Sequence, residues 1–263
     1  MMKTWMKVVL GIIAAILALV SLIFWLTGDV TKAGDDFFEA VQNDDIDAAY
    51  ELLSEDFQAG TSKQQLQTYL ETNALDNISE VSWGARSIEN NMGTLNATVE
   101  TNSGGTIPLM MRLVNGSNGW KIQSIRKESA GFGAGTTDAS LPSRAKQSEL
   151  EKGTIAAFSA SLADRDMTKL YDHSSQLWQQ QTSVEELENV FGEFYEYAPG
   201  YAAIARLNPV LDDATIDGET QVLTIKSHYP VEPSAVYFEN KYIYEGTDWK
   251  LMGLNLKIGT SPN

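Results

Sequence analysis

Two histidines, His173 and His228, and no cysteine stand among the 263 residues, so imidazole chemistry is confined to two positions. Without thiols there is no disulfide, thiolate metal site or cysteine nucleophile. Neither histidine belongs to an H-E-x-x-H pattern, and no metal or cofactor motif is spelled elsewhere. His228, beside Tyr229 near a strand end, is placed to line a pocket wall, and as a general acid or base it would need a partner carboxylate. His173 follows Tyr171 on an amphipathic stretch and reads as a surface or partly buried residue. Tyr171 either orients a ligand or fixes its helix on a sheet. Phe191, Phe194, Tyr195, Tyr197 and Tyr201 gather around Pro199-Gly200, where aromatics suit either a binding site or the packed rim of a fold. The acidic groups Asp44-Asp45-Asp47 and Asp212-Asp213 lack the register of a calcium loop. Gly131 to Gly135 is not followed by an apolar helix, so it is no phosphate cradle. No residue is assigned a catalytic role on these grounds.

The charge balance narrows the partners. Nineteen Lys and Arg against 35 Asp and Glu give −16, which argues against nucleic acid, whose phosphates call for a basic surface. The run Val8–Leu26 holds no charge and is long enough to span about 30 Å of hydrocarbon. Lys3 and Lys7 precede it and Asp29, Asp35 and Asp36 follow, so the N-terminus is expected in the cytoplasm and the rest outside. The run is longer than the apolar core of a signal peptide and ends in Phe24-Trp25-Leu26-Thr27, without a small-x-small site. An uncleaved anchor of the cytoplasmic (inner) membrane is therefore expected. Gly11, Ala15 and Ala18 share one face, which would allow a homodimer through the anchor, though such residues also serve as plain filler.

The remainder is built twice. Residues 129–142 are a Gly- and Ser-rich linker. Residues 29–128 carry 16 acids and 7 bases and residues 129–263 carry 19 and 10, so each half is −9. At a spacing of 121, Phe37 meets Phe158, Asp45 meets Asp166, Tyr50 meets Tyr171, Ser54 meets Ser175 and Phe57 meets Trp178. Trp120-Lys121-Ile122 returns as Trp249-Lys250-Leu251. The expected organisation is a cytoplasmic stub and anchor (1–28), a first domain (29–128), the linker, and a second domain (143–263).

Within each copy, helical spacing gives way to alternation. Val30, Ala33, Phe37, Phe38 and Val41 form one face; Asp45 caps a helix carrying Ala49, Leu53 and Phe57; Ser62 with Gln65 opens a third. Leu95, Ala97 and Val99, then Ile107, Leu109, Met111 and Leu113, alternate as strands. In the second copy Ser183 and Glu186 open a helix expected to bury Leu187, Val190, Phe191 and Phe194, and strands are expected near 202–207, 220–229, 235–244 and 249–258. Helices followed by an antiparallel meander give an α+β fold with about three helices on each curved sheet.

Asn43 to Phe57 (NDDIDAAYELLSEDF), followed by strands ending in Gly119-Trp-Lys-Ile122, resembles the nuclear transport factor 2-like superfamily of polyketide-cyclase-like and cystatin-like cones. The resemblance covers both halves and implies two cone-shaped domains, but no catalytic signature. Its members range from isomerases and dehydratases to binding and assembly modules, so the fold does not choose an activity. The reading is an anchored tandem module recognising a protein partner or small ligand near the membrane. The alternative is a cone enzyme in the second domain using Tyr171, His228 and a carboxylate.

Overall fold

A computed structural model describes residues 30–128, 141–218 and 220–259. The anchor expected over Val8–Leu26 and nearly all of the linker lie outside these residues. Among the described residues no helix is long and apolar enough to cross a membrane. By proximity, residues 30–54 and 67–127 form one compact unit, and residues 55–66 with those from 128 onward form another.

The first copy of the repeat, in chain order, opens with helix α1 (30–42), whose Val30, Ala33, Phe37, Phe38 and Val41 are all buried. Asp45 then accepts from Ala48 N at 2.9 Å and caps α2 (Ile46–Glu51). A single longer helix through Phe57 was expected here; instead Leu53 forms a parallel bridge to Ile122, and Ser54 N donates to Ile122 O at 2.7 Å. That strand contact separates α2 from α3 (Glu55–Gly60). Ser62 and Gln65 form the expected reciprocal cap of α4 (Lys63–Thr72). Strands β1 (Ile78–Glu89), β2 (Met92–Thr101), β3 (Thr106–Gly116) and β4 (Gly119–Lys127) make an antiparallel meander in chain order. Its inner face is apolar, with Leu95, Ala97, Val99, Leu109, Met111, Leu113, Ile122 and Ile125 buried. Gly93 lets α1 approach: a Cβ there would fall 2.7 Å from Val30 Cγ2.

The second unit repeats this plan. Helix α5 (Arg144–Asp164) is capped by Ser143 and buries Leu150, Ile155, Phe158 and Leu162. Helix α6 (Thr168–His173) and helix α7 (Gln176–Gln179) are separated by a parallel bridge from Ser174 to Leu251, with Ser175 N donating to Leu251 O at 2.7 Å. This is the same break as in the first copy, 121 residues on. Helix α8 (Val184–Phe191) carries a full capping box between Ser183 and Glu186. It buries Leu187 and Phe191, one turn apart, whereas Val190 lies off that stripe and is 60% exposed, contrary to expectation. A 3-10 turn (Gly192–Tyr197) leads into α9 (Ala198–Ile204).

Residues 202–207, expected as a strand, instead finish a helix and turn: 202–204 close α9 and 205–207 form the turn after it, with Pro199 in the first turn of α9 and Tyr201 and Ile204 buried three apart. The alanines at 202 and 203 favour helix, which a short apolar run does not reveal by periodicity. The sheet begins later, with β5 (Val210–Ile216), β6 (Leu223–Tyr229), β7 (Val236–Glu245) and β8 (Asp248–Ile258), again antiparallel in chain order. The chain is thus α+β, with two antiparallel four-stranded sheets and helices.

Candidate functional site

The aromatic residues near Pro199 divide by environment. Phe191, Phe194 and Tyr201 surround Phe158 on α5, with ring centroids 5.4, 6.2 and 5.2 Å away. Such edge-on contacts are worth about 0.5–1.5 kcal/mol each beyond the area they bury. Burial pushes the Tyr201 hydroxyl up to about 12, with Tyr197 adding to it, and its oxygen has no hydrogen-bond partner among the described residues. Tyr195 lies beneath the Arg165 guanidinium, 5.8 Å from its ring centroid. Tyr197 stands 58% exposed.

Tyr171 and His228 are not brought together. The Tyr171 hydroxyl donates to Gln179 O at 3.2 Å and so braces α6 against α7. His228 gains the carboxylate it needed: its Nδ1 lies 2.9 Å from both oxygens of Asp212. Asp212 falls where the β5–β6 register slips, between Leu211 and Asp213, and a bulge of this kind re-aims one side chain. The His228 ring also lies 5.3 Å from that of Tyr237. Since side chains alternate along a strand, His228 points away from the face that carries Ser227 and Tyr229.

That inner face holds a group of residues that sequence reading passed over. Glu151 of α5 is 2% exposed, and its carboxylate accepts from three donors. The Tyr242 hydroxyl donates at 2.9 Å, Asn240 Nδ2 reaches both oxygens at 3.1 Å, and Ser227 Oγ donates to Oε2. Tyr242 is also 2.9 Å from Thr154 Oγ1, which is 3.5 Å from His173 Nε2. Burial raises the Glu151 carboxyl above its ordinary value, against the three hydrogen bonds, which act to lower it. Burial, helped by the charge of Glu151, raises the Tyr229 and Tyr242 hydroxyls, and burial followed by Lys250 lowers His173. Two atoms in this group have no partner among the described residues: Tyr229 Oη and Asn240 Oδ1, both on residues 1% exposed.

The first unit supplies an internal comparison. Both third strands slip register at corresponding places, Arg112/Leu113 and Lys241/Tyr242, next to the pairs Leu113↔Ile122 and Tyr242↔Leu251. Leu113 pairs in turn with Gly93, and Tyr242 with Leu223. Counting from these anchors matches Ser227 to Ala97, Tyr229 to Val99, Asn240 to Met111 and Tyr242 to Leu113. On the helix, the 121-residue spacing matches Glu151 to Val30 and Thr154 to Ala33. All six first-unit residues are apolar and buried. The same framework therefore closes around hydrocarbon in one copy and around a hydrogen-bonded carboxylate in the other.

Among the described residues no cluster of three or more His, Asp or Glu is placed to hold a metal ion. In comparisons with known proteins, a family described as Domain of unknown function (DUF4864) matches residues 28–131. No curated protein matches the chain. Among solved structures, the crystal structure of a cystatin-like protein from Ruminococcus gnavus aligns with 93% of this chain and 96% of that chain, at 13% identity and a TM-score of 0.28. The family match covers the first copy and ends before the residues of the Glu151 cluster begin.

Proposed function

We propose that the protein is a single-pass, membrane-anchored extracytoplasmic binding protein with tandem nuclear transport factor 2-like units. In this reading the second unit receives a small ligand at the Glu151 cluster, and the first is its apolar-cored companion. The anchor rests on the uncharged run Val8–Leu26 and the basic residues before it. The binding role rests on one observation: six matched inner positions are apolar in one copy and polar in the other, with two buried polar atoms left unpartnered. Each such atom costs about 1–3 kcal/mol. The first unit fills the matched positions with apolar residues, so the polar set is particular to the second unit, and features that break a local rule in this way concentrate at functional sites.

One preparation tests both parts. Membranes from cells making the full chain are washed at alkaline pH, extracted with detergent, and the purified protein is denatured for mass spectrometry of what it releases. The chain is expected to stay with the washed membranes and to release a discrete small molecule in about equimolar amount. Glu151→Gln, checked by circular dichroism for intact folding, is expected to release less than about a tenth as much, the loss of a charge-assisted contact. Recovery of the chain in the wash would overturn the anchor; equal release from both proteins, or none from either, would overturn the site.

A further inference from the structure

We infer that the ligand of the Glu151 cluster is a small organic ammonium, whose N–H groups bond to Asn240 Oδ1 and Tyr229 Oη while Glu151 supplies the opposing charge. The inference rests on the binding role proposed above and adds the chemistry of what is bound. Asn240 fixes the polarity of the site. Its Nδ2 sits 3.1 Å from both oxygens of Glu151, and an ionised carboxylate only accepts, so with Glu151 ionised Nδ2 donates to it and the unpartnered atom is the carbonyl oxygen. An oxygen of that kind accepts and cannot donate, so whatever meets it carries an N–H or O–H.

Three further observations select a cation among such donors. Glu151 is almost fully buried, and its partners Ser227, Asn240 and Tyr242 bring hydrogen bonds but no charge. A buried carboxylate without a counter-charge is strongly disfavoured, and an ammonium close by restores the balance. Tyr229 Oη, likewise buried and unpartnered and carried on the same sheet face as Ser227, can accept with its lone pairs and offers a second contact. The second copy and linker carry 19 acids against 10 bases, a field that concentrates cations and repels anions. Because the two unpartnered oxygens are sealed from solvent, admission needs a local opening of the helical cover, and the apparent affinity is lowered by the closed fraction.

The test uses ethylammonium chloride as probe on the full-length chain in detergent, read by saturation-transfer NMR of the ethyl protons and by titration calorimetry, with ethanol as the neutral counterpart. A probe of three heavy atoms is expected to bind in the millimolar range. Ethanol is expected to bind at least about tenfold more weakly, the difference between a charged and a neutral hydrogen bond. Glu151→Gln should abolish the ethylammonium signal. Tyr229→Phe removes a hydroxyl that holds nothing in the fold, so it should leave the melting temperature unchanged or raised while weakening ethylammonium about tenfold. Equal binding of ethanol and ethylammonium, or ethylammonium binding that neither substitution alters, would overturn the inference. If the purified protein releases a small molecule but does not take ethylammonium, the ammonium class is wrong and the binding site stands. If it does neither, both fall.

Discussion

Replacing Phe158 by alanine is expected to lower the melting temperature of the second unit by about 10 °C. The ring is fully buried and touches Phe191, Phe194 and Tyr201. Removing such a side chain costs about 3–5 kcal/mol in lost transfer free energy and residual cavity. For domains of this size each kcal/mol is worth about 2–4 °C. Tyr197→Ala, at a 58% exposed position in the same aromatic group, should change stability by no more than about 0.5 kcal/mol. Differential scanning calorimetry of the two variants separates a packing cluster from a binding surface. A Phe158→Ala protein that melts with the wild type would mean that these rings are not core.

Glu151→Leu is expected to be comparably damaging for a different reason. The leucine fills the space but leaves the Ser227 hydroxyl, the Asn240 amide and the Tyr242 hydroxyl facing hydrocarbon. Each lost partner costs about 1–3 kcal/mol, so a total of roughly 3 kcal/mol or more is expected even after Ser227 and Tyr242 rotate toward other acceptors. Adding Ser227→Ala, Asn240→Met and Tyr242→Phe converts the site toward the first unit's Ala97, Met111 and Leu113, and should restore most of the loss. Neighbouring changes of this kind are not additive, and the recovery is the informative quantity. Replacing a buried charged group together with its partners by apolar residues is often neutral or stabilising, whereas breaking it by one substitution is not. A combined variant no more stable than Glu151→Leu would show that the second unit needs its polar centre to fold, which contradicts the reading of that centre as a binding feature.

The outline of the fold was legible because local signals agree with packing. Asp45, Ser62 and Ser183 cap the helices they precede. The alternating runs at 95–99 and 107–113 form paired strands. Local pattern departs from the structure where tertiary context decides. The alanine-rich stretch after Tyr201 has too short an apolar run to separate helix from strand, and the helical spacing puts Val190 on a buried face that only Leu187 and Phe191 occupy. The spacing predicts one continuous helix through Phe57 because nothing in the sequence announces the backbone bridge from Leu53 to Ile122.

The candidate site was the least legible part. Histidines and clustered aromatics are conspicuous by type, while Glu151 sits in a stretch (KQSELEKG) that reads as solvated helix. Ser227, Asn240 and Tyr242 are ordinary strand residues until the two sheets are set in register. The signal was nevertheless present in the duplication: at the 121-residue spacing Glu151 falls on Val30, an apolar core position. A charged residue at a position that its own repeat fills with valine is informative in a way that neither copy is alone.

The carboxyl titration of Glu151, followed by NMR in protein labelled with 13C at glutamate Cδ, tests the central claim most directly. The groups facing it are Ser227, Asn240 and Tyr242, with Thr154 and His173 beyond Tyr242 and the unpartnered Tyr229 hydroxyl nearby. In the unfolded chain the carboxyl ionises near 4.5, and in the folded protein burial holds it higher. The folded state therefore keeps its proton longer, and the contribution of this group to stability falls as pH rises from 4.5 through the folded value. His173, lowered by burial, acts with the opposite sign, losing stability as pH falls below its ordinary 6.5. Because the NMR signal belongs to one carboxyl, it reads Glu151 without that opposing contribution. The expected result is a Glu151 resonance that titrates above 4.5 and moves to lower pH in the presence of ethylammonium. A resonance that titrates at 4.5 or below and does not respond to the cation would contradict the account.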